Sequence, residues 1–413
     1  MSELYPLGLR ITGRLVVVVG GGPVALRRVR ALLDAGALVR VVAPVAVPGL
    51  DDLQAAGRVE LVVREYRDGD LDGAWLVHVA TGDPRVDAAV AADAEAARVF
   101  AVTAGDASLG TAWVPAVARQ DDVVVAVNAG RDPRRAQAVR DGVAAALAGG
   151  ELPLRRVRDG GRRRPGRVAL VGGGPGDPGL VTTRGRRLLA QADVVVVDRL
   201  APRALLDGLA DDVVVIDVGK TPGHHPVPQS QISALLVEHA LAGRDVVRLK
   251  GGDPYVFGRG GEELETCRTH GVEVEVVPGV TSAVSVPAAA GIPVTHRGLA
   301  RGFSVLTGHD DIGRVPGGSD HTLVLLMGVT RLADTARTLV DAGRPPSTPV
   351  AIVEDGYGPR QRTTVGTLAD IAERAAAVGV QSPAVTVVGD VVTLSPAWTG
   401  PAARTVLAAG VLP

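Results

Sequence analysis

One cysteine, Cys267, is all that this chain of 413 residues carries. It allows no internal disulfide and no multi-cysteine zinc or iron–sulfur site, which points to a cytosolic protein and leaves metal binding to histidine and carboxylate ligands. An excess of either charge is missing too. Lys+Arg 44 balance Asp+Glu 45 for a net charge of −1, so no global electrostatic footprint for nucleic acid or a membrane surface exists. Long apolar runs are absent: stretches such as Leu15 to Val19 break at glycine, proline or charge within a few residues, and no basic stretch leads into an apolar core at the N-terminus. Secretion and membrane spanning are therefore not expected. Lysine is scarce, with only Lys220 and Lys250 among the 44 basic residues. Arginine serves almost everywhere, so a retained lysine is a candidate for a compact or deprotonable ammonium.

What is present is an ordinary globular balance, 46% hydrophobic and 22% charged, over a length that suits two or three domains. From Arg14 short Val-rich runs alternate with helical stretches, the βαβ rhythm of a parallel sheet. Strands are expected at 15–19, 38–42, 59–63, 75–80, 98–102 and 123–127, with helices near 24–34, 84–97 and 134–147. A stretch at 151–166, rich in arginine, glycine and proline, reads as a linker. The alternation restarts at Val168, with strands expected at 168–171, 193–197, 212–216, 245–249 and 272–276, then 322–326, 349–353 and 384–388. The fold class expected is α/β: a Rossmann-like parallel sheet at 1–111, a helical segment at 112–150, and two further α/β lobes over 167–413 meeting near 293–301.

Two glycine loops follow strands. Gly20-Gly21-Gly22-Pro23-Val24-Ala25 opens directly into a helix, so its backbone can approach a pyrophosphate at a helix N-terminus. This makes Gly20, Gly22, Pro23 and Val24, with Pro44 and Val45 after the second strand, candidates for holding NAD, although no acidic residue ends that strand to hold a ribose. In Gly172-Gly173-Gly174-Pro175-Gly176-Asp177-Pro178 the prolines delay the next helix, which suits a non-phosphorylated, flat or charged ligand.

That loop, together with Val197-Asp198-Arg199, Arg248 to Glu263, Val277 to Ser282 and Gly291 to Arg297, resembles the uroporphyrinogen-III C-methyltransferases over about residues 167–395. With Gly20 to Ala25, Leu32 to Ala37 and Trp75-Leu76 ahead of it, the chain resembles the siroheme synthases, in which a precorrin-2 dehydrogenase and ferrochelatase module is fused to the methyltransferase. The resemblance implies S-adenosylmethionine in a cleft between two lobes, held by Pro175, Gly251, Asp253, Val256, Thr281, Ser282, Met327 and Gly356. It implies Asp198 as proton acceptor and Lys220 as proton donor. A substrate with eight carboxylates calls for arginine anchors, and Arg199, Arg248, Arg259, Arg297 and Arg301 are the candidates beside the motif loops. Lys250 precedes the cofactor loop and is read as setting its backbone. His224 and His225 read as a substrate-edge loop, His296 and His309 as packing or polar-cleft residues, and no resident metal is expected.

The first module departs from its family. Val102-Thr103-Ala104-Gly105-Asp106 puts Gly105 where the family has a catalytic aspartate, and Asn128-Ala129-Gly130-Arg131-Asp132-Pro133 replaces a run of serines and glycines. Asp106, Asp83 or His78 could stand in, but a carboxylate displaced by one position on a strand faces the other side. The module is expected to be impaired or retired in catalysis while binding NAD and dimerising through 112–150. The alternatives are a complete trifunctional enzyme, with NAD-dependent oxidation and insertion of ferrous iron as a substrate, and a non-catalytic NAD-sensing or dimerisation module. The partners expected are the tetrapyrrole and a second copy of the chain in the cytoplasm, with no nucleic acid and no membrane.

Overall fold

The computed structural model describes residues 4–130, 132–152, 166–219, 227–308, 312, 315, 318 and 320–400. The chain divides into two compact units, Met1–Ala144 and Ala145–Pro413. No helix among the described residues is long and apolar enough to cross a membrane. The expected linker falls almost wholly on 153–165, outside the described residues.

In the first unit β1 (Leu15–Val19), α1 (Pro23–Asp34), β2 (Leu38–Ala43), α2 (Pro48–Ala55), β3 (Glu60–Val63), β4 (Leu76–Val79), α3 (Pro84–Ala97) and β5 (Phe100–Thr103) follow one another. The strands lie parallel in the order β3-β2-β1-β4-β5. The Val run of β1 explains its central place. Val16 and Val18 pack with Ala25, Val29 and Leu32 of α1 on one face, while Val17 and Val19 pack with Val90 and Ala94 of α3 on the other. A strand covered on both faces needs a continuous apolar run rather than alternation. An antiparallel hairpin, β6 (Ala116–Gln120) and β7 (Val123–Val127), and α4 (Pro133–Gly149) come next, so 112–150 is a hairpin and a helix rather than helical throughout. Short, polar α2 and β6 gave no periodic signal.

The second unit begins with a parallel sheet, order β10-β9-β11-β8-β12. Its strands are β8 (Arg167–Gly172), β9 (Val194–Val197), β10 (Val214–Asp217), β11 (Val246–Lys250) and β12 (Glu273–Val277), with α5 (Thr183–Gln191), α6 (Gln229–Leu241) and α7 (Gly260–Thr269) between them. α8 (Ser282–Ala289) leads to β13 (Gly302–Thr307), β14 (His321–Leu326), α9 (Leu332–Asp341), β15 (Pro349–Glu354), β16 (Arg362–Thr367), α10 (Ile371–Val378) and β17 (Ala384–Val388). The second sheet is mixed, order β13-β14-β17-β15-β16, parallel only between β13 and β14. β13 and β16 were not expected from sequence; both are edge strands, where Gly, Ser and Thr replace the buried valines of central strands. The passage between lobes comes earlier than 293–301. Ala283 and Val286 of α8 already pack with Val324, Leu326, Val385 and Val387 of the second sheet, so the chain crosses between Val277 and Ser282.

Charge is buried where β11 meets α7. Arg248 and Lys250 share one face of β11 at period 2, and each is 3% exposed. Glu263 of α7, 0% exposed, accepts from Lys250 Nζ at 3.1 Å through both oxygens, from Arg248 Nε at 3.1 Å and from Gln229 Nε2 of α6 at 3.0 Å. Burial, with Arg248 adding to it, holds Lys250 below its ordinary value against the pull of Glu263. Cys267, one turn further along α7, is wholly buried and its thiol is pushed up to about 11 by burial and by Glu263, which leaves it unreactive near neutral pH.

Two outcomes follow. Glu263→Ala strands two buried cations and is expected to destabilise the second unit by ~3–5 kcal/mol, read as lost hydrogen-exchange protection in β11 and α7; Glu263→Gln retains part of it. In the first unit His78 of β4 is 5% exposed, and burial, reinforced by Arg28, holds it down to about 4 from 6.5. The unfolded chain takes up a proton that the folded chain refuses, so stability present above pH ~6.5 is lost as pH falls toward ~4, by up to ~3 kcal/mol. His78→Ile should flatten that part of the urea-midpoint profile relative to the unchanged chain; an identical slope refutes it.

Candidate active-site cleft and nucleotide crevice

Because every strand of the first sheet of unit two runs the same way, the loops after β8, β9, β11 and β12 emerge at one edge, the usual place for a ligand in an open α/β sheet. Asp198 follows β9 there. Its Oδ1 accepts from the backbone N–H of Ala201 at 3.0 Å, Leu200 at 3.1 Å and Gly251 at 3.3 Å, and its Oδ2 lies 3.7 Å from Arg248 Nη2 with the side chain 28% exposed. The carboxylate is thus fixed by the backbone of two loops and still reaches solvent. Arg248 is not a substrate anchor. It is buried, spent on Glu263 and on the carbonyls of Val196 and Leu249, and serves as the link between Glu263 and Asp198.

Glycine lets the loops close on one another. A Cβ at Gly279 would come 2.1 Å from the Gly252 carbonyl and 2.6 Å from Gly172 Cα, so only three bare backbones fit. Gly174 and Gly252 exchange backbone hydrogen bonds, and Gly173 N–H donates to the Lys250 carbonyl at 2.7 Å. Asp253 braces the same junction, Oδ1 accepting from Tyr255 N–H at 2.8 Å and Oδ2 from Gly279 N–H at 3.0 Å. Gly251 stands against Leu200, Gly176 against the Gly356 carbonyl, and Gly356 against Val286 of α8. Thr281 caps α8 through Ala283 N–H, and Ser282 is that helix's first residue. Val256, from the β11 loop, packs on the core cluster of the second lobe that holds Val286 and Leu326. Pro175, Gly251, Asp253, Val256, Thr281, Ser282 and Gly356 therefore stand on loops that these contacts tie into one junction spanning the lobes.

Met327, at the end of β14, is 52% exposed with φ 56°, so it is no core filler. Sequence reading missed the strain around it: Phe257, Arg259, Met327, Asp355 and Tyr357 all have φ between 47° and 65° in loops at this edge. Non-glycine residues in the left-handed region cluster at functional sites because the surroundings must hold them there. Glu263 and Gln229 were missed too; a buried acid opposite Arg-x-Lys on a strand was the available signal.

Arg199, Arg297 and Arg301 are exposed and carry no ion pair among the described residues, whereas Arg259 is held bidentately by Glu262 at 2.7 and 2.8 Å. His296 Nδ1 is buried without a hydrogen-bond partner among the described residues. Lys220, His224, His225 and His309 lie outside the described residues. Gly219, just before Lys220, packs against the Arg199 backbone.

In the first unit the crevice opens where β1 and β4 part at their carboxyl ends. Gly20, with φ 125°, has its Cβ position blocked by the Ala80 carbonyl at 2.2 Å, Gly21 by the Val45 carbonyl at 1.9 Å, while Gly22 has open space. Gly22 caps α1 without a side-chain bond and Pro23 is its first residue, which leaves backbone N–H groups of the first turn for an anion. Val24, Pro44 and Val45 are exposed around this loop. None of the proposed stand-ins replaces a carboxylate at Gly105. Asp106 turns onto Ser108, Asp83 caps α3 through Arg85 N–H at 2.8 Å, and His78 is buried within the sheet.

Residues 167–372 match the family described as "Tetrapyrrole (Corrin/Porphyrin) Methylases", and residues 7–116 match the one described as "Putative NAD(P)-binding". A siroheme synthase of Chromobacterium violaceum is 39% identical over 95% of this chain and 96% of its own. One of Pseudomonas entomophila is 40% identical over 95% of this chain and 97% of its own. A solved uroporphyrin-III C-methyltransferase of Thermus thermophilus, complexed with S-adenyl homocysteine, is 45% identical over 55% of this chain and 99% of its own, with a TM-score of 0.48. With such identity along almost the whole of both sequences, the chain belongs to the siroheme synthase family.

Proposed function

We propose that residues 145–413 carry methyl groups from S-adenosylmethionine to C2 and C7 of uroporphyrinogen III, giving precorrin-2. The observation that carries this reading is the junction of bare backbones at Gly172, Gly252 and Gly279, joined to Val286 and Gly356 of the other lobe, with the oriented carboxylate of Asp198 beside it. Backbone groups for polar edges and the apolar sides of Val256, Val286 and Met327 suit an adenosyl ligand carrying a sulfonium. When bound, that ligand supplies an electrophilic methyl group. Asp198 takes up the proton displaced from the methylated ring and Lys220 returns one, a division of labour between a carboxylate and an ammonium. Arg199, Arg297 and Arg301 are free to pair with substrate carboxylates.

A second reading, favoured by the glycine loop at the α1 N-terminus and by the sheet order, is NAD-dependent oxidation of precorrin-2 by the first unit. The assembly is a cytoplasmic homodimer through residues 112–150, where Val124 of β7 is 60% and Val139 of α4 46% exposed.

Asp198→Asn and Lys220→Ala are each expected to lower methyl-transfer turnover by ~100-fold or more, with S-adenosylmethionine affinity kept within about threefold. Full turnover in both variants would remove these roles. Product analysis should give precorrin-2 from uroporphyrinogen III and S-adenosylmethionine alone, and sirohydrochlorin once NAD is added. Precorrin-2 persisting with NAD present refutes the second reading, and added ferrous iron reports metal insertion in the same assay.

A further inference from the structure

At the crevice of the first unit a carboxylate that sequence reading passed over lies beneath Gly105. Asp87, in the first turn of α3, is 4% exposed. Its Oδ1 accepts a short hydrogen bond from the Thr81 hydroxyl. Its Oδ2 accepts no hydrogen bond from a described residue and lies 3.2 Å from where a Cβ on Gly105 would stand. Thr81 in turn has its backbone nitrogen 3.2 Å from the Cβ position of Gly20. A continuous line of contacts thus runs from the glycine loop through Thr81 and Asp87 to Gly105, which is itself exposed.

Asp87 Oδ2 is not sealed: it keeps contact with solvent, and no side chain at Gly105 covers it. We infer that Asp87 Oδ2 is the proton acceptor of the first unit, reached through the opening that the missing side chain of Gly105 leaves. This rests on the reading of that unit as an NAD-dependent oxidase of the reduced tetrapyrrole. A ring N–H bond gives its proton to Asp87, and its electron pair shifts through the conjugated ring to form a double bond at a bridging carbon. As that bond forms, the C–H bond of the bridging carbon passes its hydride to an oxidised nicotinamide, so the macrocycle loses one proton and one hydride, two electrons in all, and the proton later leaves to solvent. Thr81 acts through Asp87 as a positioning residue. Gly105 and Asp87 are also complementary: an aspartate at 105 would press a second negative charge onto Oδ2, so the site holds one carboxylate, supplied from the helix instead of the loop.

The test uses the full chain, separately prepared precorrin-2 and NAD, with NADH fluorescence for rate and calorimetry for NAD affinity. Asp87→Asn should lower NADH formation ~100-fold while the Kd for NAD moves less than about twofold. The pair Asp87→Asn with Gly105→Asp should recover about tenfold, and Thr81→Val should lower kcat with KM unchanged. If the unchanged chain oxidises precorrin-2 and Asp87→Asn retains more than about a third of its rate, the inference falls and the oxidase reading stands. Should Asp87→Asn lose NAD affinity as well, an unaltered kcat in Thr81→Val overturns the inference. No NADH from the unchanged chain overturns the oxidase reading and the role of Asp87 with it.

Discussion

The second unit depends on one buried acid. β11 is a central strand, and carrying Arg248 and Lys250 on a face that packs against helices would be prohibitive without an anion in the same layer. Glu263 supplies it, and three donors from β11 and α6 satisfy its two oxygens. The consequence is positional. The loop from Gly251 to Asp253 starts from a strand end that cannot shift without breaking a fully desolvated ion pair. The far side of the Arg248 guanidinium comes to rest beside Asp198. Lysine at 250 instead of arginine also makes sense on this ground, since a compact ammonium sits between both oxygens of Glu263 where a planar fork would need more room.

From that fixed strand end the loops build outward by close approach rather than by side-chain reach. Asp253 ties Gly279 to the β11 loop, and Gly172 and Gly252 let three turns touch backbone to backbone. Around this junction Phe257, Met327 and Tyr357 are held in the left-handed region. Strain there is tolerable because the buried layer beneath it is over-determined. Two of the positions expected to touch cofactor also brace the loops: each Asp253 oxygen accepts from a loop N–H group, and Thr281 caps α8.

The architecture was legible wherever a strand is central. Val-rich runs at β1, β8, β9 and β11 announce themselves because both faces are covered. Edge strands β13 and β16 and the short α2 were not legible, since Gly, Ser and Thr at an edge look like loop. Site residues were legible as positions and less so as roles. Arg248 stood in a motif loop and looked like an anchor, but the period of the strand turns it inward, a fact that became decisive only once α7 was known to place Glu263 opposite. The scarcity of lysine drew attention to Lys250 correctly, although its task is structural.

Both units keep a carboxylate at a strand-edge crevice by different means. In the second, Asp198 follows its strand directly and is aimed by three backbone N–H groups, so orientation comes from the loop itself. In the first, the strand-end position is Gly105, and the carboxylate closest to it rises from α3, oriented by a threonine hydroxyl from the neighbouring strand end. A motif that reads one strand in isolation registers this as a loss. Chemistry depends on where the oxygen stands and not on which element brings it there. A helix turn at Asp87 and a loop at Gly105 that converge on one point are, for a proton, interchangeable supports.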